Sequence, residues 1–142
     1  MSFDCPAPKE SACGSAQGVD LLNKGENMNL VINIIIGIVA LLHAYFLILE
    51  MFLWDKPAGR QAFHTTTEFA AQSKTLAANQ GLYNGFLAAG LVWGLFAGDA
   101  VKIFFLSCVI VAGIFGAFTV SKRIFYIQAL PALIGLVLLL VT

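Results

Sequence analysis

Four runs of almost unbroken apolar residues, at positions 30–53, 81–97, 103–120 and 124–141, restrict what this 142-residue chain can become. A helix needs about 20 mainly apolar residues, with a range of roughly 17 to 25, to cross the hydrocarbon core of a bilayer. The runs are continuous rather than alternating, and isolated strands in lipid would leave backbone groups unpaired, so each run is read as a helix. Composition agrees: 59% hydrophobic and 11% charged residues lie far from the averages of soluble domains. The expected fold is all-α, a four-helix transmembrane bundle over residues 29–142.

Residues 1–28 stand apart. They mix charge with Pro, Gly and Ser, and only Val19, Asp20, Leu21 and Leu22 hint at hydrophobic clustering, so a disordered tail is expected. Met28 directly precedes the first apolar run, which leaves open whether the tail belongs to the native protein or reflects an upstream mis-start. The sequence ending at Cys13 lacks the apolar segment that a lipoprotein signal would need in front of it. Cys5, Cys13 and Cys108 form neither a disulfide framework nor a zinc pattern. Eight Lys+Arg balance eight Asp+Glu, so no basic field exists to attract nucleic acid.

The connections differ in length. Gly98-Asp99 and Ser121-Lys122-Arg123 are tight and predict antiparallel neighbours. Between Trp54 and Gln80 the chain reads as a turn at residues 55–59, then a capping box at Thr65, Thr66, Thr67 and Glu68 that starts a short helix through Ala78. That helix is either interfacial, lying on Phe69 and Leu76, or an extension of helix 2. Lys56, Arg60, Lys74, Lys122 and Arg123 fall on one side of the bundle, against Lys102, Lys9 and Lys24 on the other. The imbalance of positive charge places the first and third connections in the cytoplasm and both termini outside a cell (inner) membrane.

Small residues and a proline mark helix contacts. Gly90, Gly94 and Gly98 make a repeated small-xxx-small run, and Ala112, Gly113, Gly116 and Ala117 offer a second close-approach face, serving either internal packing or a homo-oligomer. Pro131 removes a hydrogen bond to the Ile127 carbonyl and predicts a kink, beside which Gln128 either satisfies the freed group or points into a cavity.

Ionisable residues inside a span are expensive, about 2.5 to 3.5 kcal/mol at its centre, and usually face protein or water. His43 and Glu50 share one helical stripe with Leu47 and Trp54, separated by about 10 Å along the axis, too far to pair directly. The stripe reads either as a proton relay or ligand grip, or as a neutral His43 donating elsewhere while Glu50 snorkels beside Trp54. Asn79, Gln80, Tyr83 and Asn84, at the entrance to helix 2, share the depth of Glu50. A polar pocket is therefore expected in which Gln80, Asn84 or Tyr83 meets Glu50 directly or through water. The candidate ligand-binding residues are His43, Glu50, Trp54, Asn79, Gln80, Tyr83, Asn84 and Gln128.

The strings LEMFLW, LAANQGLYNGFLAAGL, VIVAGIFGAFT and QALPALIGL, taken in that order, resemble the successive signatures of the small integral membrane proteins grouped under domain of unknown function 1304. The resemblance covers residues 29–142 and implies a membrane protein without assigning any residue a chemical role. The function expected from the residues is binding of a small amphipathic ligand or lipid in the polar pocket. The alternatives are a small proton-coupled transporter acting as an oligomer and a membrane-embedded enzyme using His43 or Glu50 as acid or base. No nucleophile accompanies those two residues, which favours a non-enzyme. No cofactor or metal is expected: His64 lies in the loop, at the wrong depth to join His43 as a haem ligand.

Overall fold

A computed structural model describes the backbone of residues 10–142 and the side chains from Lys24 onward. Its helices are α1 (Glu10–Met51), α2 (Pro57–Phe63), α3 (Thr67–Ala97), α4 (Asp99–Thr119), α5 (Lys122–Ile124) and α6 (Leu130–Val141), with a π-helical segment Phe125–Ala129 joining the last two. The described residues contain no strand, so the architecture is an all-α bundle. The helix α1 begins at Glu10 and so includes residues 10–28 of the segment expected as a tail. The last proline before the helix is Pro8, and once a long helix exists each added residue gains a hydrogen bond without repeating the nucleation penalty. Residues 1–9 of that expected tail lie outside the described residues.

The glycines show how the helices pair. A Cβ on Gly81 would lie 3.0 Å from the Met51 nitrogen and 3.2 Å from the Glu50 Cβ, and one on Gly85 would touch Leu47 at 3.5 Å. Farther along, Ala88, Ala89, Val92 and Trp93 share a groove with Ala44, Leu41, Ala40 and Gly37. Numbers rise on α3 as they fall on α1, so the two helices are antiparallel. Gly90 and Gly94 then admit Phe105 and the Lys102 backbone of α4, Gly113 of α4 meets Ala129, and Gly135 of α6 meets Ile35 of α1. The ring α1, α3, α4, α6 is thereby closed, and the glycine faces of α3 and α4 are filled from within the chain.

Three segments are long and apolar enough to cross a membrane: Lys24–Met51, Asp99–Thr119 and Lys122–Val141. The run at 81–97, expected as the second of four crossings, is not among them. It forms the C-terminal part of a 31-residue helix, and its glycines together with Asn84 lower its apolarity. At 1.5 Å per residue α3 extends about 46 Å, beyond a hydrocarbon core of about 30 Å. The segment through Ala78 is therefore an extension of this helix rather than a separate interfacial one. Thr66, not Thr65, is the N-cap; its hydroxyl accepts from the Phe69 amide at 3.2 Å, which moves Glu68 to the second helical position and dissolves the expected capping box.

The stretch read as a turn at residues 55–59 is partly the short helix α2. Pro57 enters at its first turn, where the missing N–H costs nothing. Gly59 is buried because a Cβ there would overlap the Leu53 carbonyl. At Pro131 the expected kink takes a specific form: the Leu130 amide donates to the Phe125 carbonyl, five residues back. The extra residue in that turn shifts the carbonyls away from the proline ring, relieving the clash that an α-helix would impose.

Hydrophobic packing is concentrated at one end. The core cluster takes Met28, Ile32, Ile35, Ile36, Val39 and Ala40 from α1, Leu87, Leu91 and Leu95 from α3, Phe105, Leu106, Val109 and Ile110 from α4, and residues from Ala132 onward in α6. Toward the other end the buried residues become small or polar: His43, Glu50, Ala77, Gly81, Asn84, Gly113 and Ala129, with Leu49 the one large apolar exception among the described residues.

Candidate functional site

The pair Glu50 and Asn84 forms at this second end because Gly81 removes the side chain that would hold α1 and α3 apart. Asn84 sits one turn beyond Gly81, and its Nδ2 donates to Glu50 Oε2 at 2.7 Å. Both residues are buried, Glu50 at 9% exposure and Asn84 at 5%. No described residue donates to Glu50 Oε1, and no described Lys, Arg or His forms an ion pair with the carboxylate. Oε1 is not sealed off either: the enclosed unpaired side-chain atoms among the described residues are Asn33 Oδ1, Asp55 Oδ1 and Thr65 Oγ1. A carboxylate oxygen with four-fold acceptor capacity shared over two atoms thus retains room for a donor.

His43 lies on the same stripe of α1, at 1% exposure. Its Nδ1 lies 2.9 Å from the Val39 carbonyl, one turn back, so a neutral ring donates there and presents Nε2 as an acceptor. One of the two readings of the stripe has a neutral His43 donating to another helix; the bond lies within its own helix, which spends the donor locally.

The remaining candidates divide. Trp54 is half-buried, and its Nε1 donates to Ser73 Oγ at 3.0 Å, whose hydroxyl in turn donates to the Phe69 carbonyl at 2.6 Å. Its ring lies 4.8 Å from that of Phe63, which also contacts Phe46 at 6.5 Å. Asn79, Gln80 and Tyr83 are exposed, and none reaches Glu50. One helical face cannot hold all four polar residues: with Asn84 turned to α1, Asn79 and Tyr83 point well away from it and Gln80 lies at its edge. Gln128 is half-buried in the π-helical segment, on the stripe that continues through buried Ala132 and Gly135.

Sequence reasoning missed Ser73, whose position one turn after Phe69 and on the side of Trp54 becomes visible only once α3 is continuous. It also missed the burial of Lys102, at 8% exposure, counting it only as an orienting charge. Lys102 packs against Gly94 and directs Nζ to Asp99 Oδ1 at 3.0 Å, an arrangement signalled by the i, i+3 spacing. Among the described residues no group of three His, Cys, Asp or Glu side chains is arranged to hold a metal.

Outside the apolar segments, Asp55 ties the first connection to α3. Lys74 Nζ lies 2.9 Å from its Oδ2 and Lys56 Nζ 3.9 Å away. The hydrogen bond from Lys74 holds the Asp55 carboxyl below its ordinary range. The folded connection therefore binds its proton more weakly than the unfolded chain, so the stabilisation is complete above about pH 4 and disappears as pH falls through the lowered value. Protease cleavage between residues 55 and 66 is expected to accelerate below about pH 4 in wild type, while Lys74→Met abolishes that acid-dependent step; an identical acid profile in both would remove the proposed tie.

The family described as "Protein of unknown function (DUF1304)" matches residues 37–140. The uncharacterized protein YpaA of Lactococcus lactis subsp. lactis (strain IL1403) is 30% identical over 106 residues, covering 70% of this chain and 88% of that protein. No solved structure matches. The matched span holds His43, Glu50 and Asn84 together with α3, α4 and the π-helical segment, and the chain belongs to the DUF1304 family.

Proposed function

We propose that this chain is a multi-pass membrane protein that binds a small amphipathic ligand at the polar end of its bundle, without catalysing a reaction. The observation that carries the reading is the Glu50–Asn84 hydrogen bond of 2.7 Å, buried between α1 and α3 where large apolar side chains are scarce. A carboxylate placed there is costly unless something uses it, and its unpaired Oε1 is oriented by a neighbour rather than consumed by one. Three segments apolar enough to cross a membrane support the multi-pass reading, with α3, packed on α1 and α4, as a fourth crossing. His43 and Gln128 supply further polar groups on inward stripes, and Trp54 borders the site.

The excess of Lys and Arg at the Glu50 end favours placing that end in the cytoplasm and both termini outside. A membrane-impermeant thiol reagent applied to intact cells is then expected to label Cys5 and Cys13 but not Cys108; tail labelling only after lysis reverses the orientation.

Native mass spectrometry after gentle extraction tests the binding reading. A discrete small-molecule adduct is expected on wild type and depleted on Asn84→Leu. Bare protein, or the same adduct on both, would leave Glu50 and Asn84 as packing groups. The same spectrum counts subunits.

A further inference from the structure

We propose that the ligand of the Glu50 site is an organic cation with an apolar body. This inference rests on the binding reading above and adds the charge of the ligand. Glu50 is more than nine-tenths buried and is bonded to a neutral amide alone. A buried carboxylate gains from a compensating charge, and among the described residues no cation of the chain pairs with it. Lys74 and Lys56 face Asp55, Arg60 donates to the Thr67 hydroxyl, and the buried Lys102 lies at the opposite end with Asp99. Lys122 and Arg123, in α5, and Lys24, in α1, are exposed. With no described cation of the chain against Glu50, its carboxylate is open to a cation from outside the chain.

Two further observations favour a cation over a neutral or anionic head. His43, sharing the stripe, has its Nδ1 turned to the Val39 carbonyl, so the neutral ring offers an acceptor and no donor to the interior. The interior stripe thus presents acceptors at both ends, which suits a positive or hydrogen-donating group. Phe46 and Trp54 lie four residues to either side of Glu50, and Phe63 brings the rings together, 6.5 Å from Phe46 and 4.8 Å from Trp54. Aromatic faces attract cations that have shed their water, and a bulky organic cation sheds it more readily than a metal ion.

Equilibrium binding to purified wild-type protein in nanodiscs, with empty nanodiscs subtracted, distinguishes the alternatives. The probes are tetraphenylphosphonium, whose charge is permanent, and triphenylphosphine oxide, a neutral molecule of related bulk. Tetraphenylphosphonium is expected to bind at least tenfold more tightly than the oxide, and Glu50→Gln to reduce that preference at least tenfold without changing affinity for the oxide. Equal affinities on wild type would overturn the cation assignment while leaving an amphipathic pocket in place. Absence of specific binding by either probe would overturn both the cation assignment and the pocket. The comparison on wild type stands independently of whether the variant folds; where Glu50→Gln melts like wild type and still prefers the cation undiminished, the assignment to Glu50 fails.

Discussion

Gly113→Leu is expected to lose the bundle, with a large fall in melting temperature in detergent and loss of monodispersity. A Cβ at this position would already lie 2.9 Å from both the Cβ and the backbone nitrogen of Ala129, so the obstacle includes main chain and cannot be relieved by a rotamer change. Overpacking a tight contact by one or a few methylenes typically costs about 1 to 3 kcal/mol, and leucine adds more bulk than that at a backbone crossing. The damage should spread, because Ala129 closes the π-helical segment that feeds α6, and α6 packs on both α4 and α1. Gly37→Ala provides the contrast. Nothing lies within 4 Å of a Cβ there, and Ala is favoured over Gly in a helix interior by about 0.5 to 1 kcal/mol, so a small gain in stability is expected. Equal tolerance of the two substitutions would mean that α4 and the π-helical segment do not meet at Gly113.

Which parts of this arrangement were legible in the sequence follows from the range over which each signal acts. Long apolar runs and short connections are local, so the all-α character and the antiparallel order of the helices could be read directly. The depth match between Glu50 and Asn84 was also readable, because a single connection links the helices that carry them. The choice of Asn84 over Gln80 and Tyr83 was not. It depends on the rotation of α3 about its axis, which is fixed by Gly81 and Gly85 against α1 and by Gly90 and Gly94 against α4, contacts that no local pattern specifies. The same limit hid Ser73, and it explains why Lys102 was counted only as an orienting charge although Gly94 opens a place for its backbone inside the bundle. Pro131 announced a break in the helix but not its form, since a kink and a π-helical turn both answer the missing amide hydrogen.

Glu50→Leu is expected to destabilise the protein by about 1 to 3 kcal/mol, because the Asn84 Nδ2 that now donates to it would remain buried without a partner. The estimate exceeds the net worth of an interhelical hydrogen bond in lipid, which averages about 0.6 kcal/mol. The difference is the penalty for stranding a polar group rather than for losing a contact. Glu50→Gln keeps an oxygen in place to accept from Asn84 and should melt close to wild type. Removing both partners in Glu50→Leu/Asn84→Leu leaves nothing unpaired, so part of the stability should return despite the added bulk, giving a coupling that two independent sites would not show. Functional readouts then separate from stability. If the carboxylate serves only to hold α1 against α3, Glu50→Gln should retain the ligand as well as the fold; if its charge is what the ligand meets, Glu50→Gln should preserve the fold and lose the ligand. Additive effects of Glu50→Leu and Asn84→Leu on the melting curve would show that the pair is not coupled, and would take away the oriented acceptor on which a polar site at this end of the bundle depends.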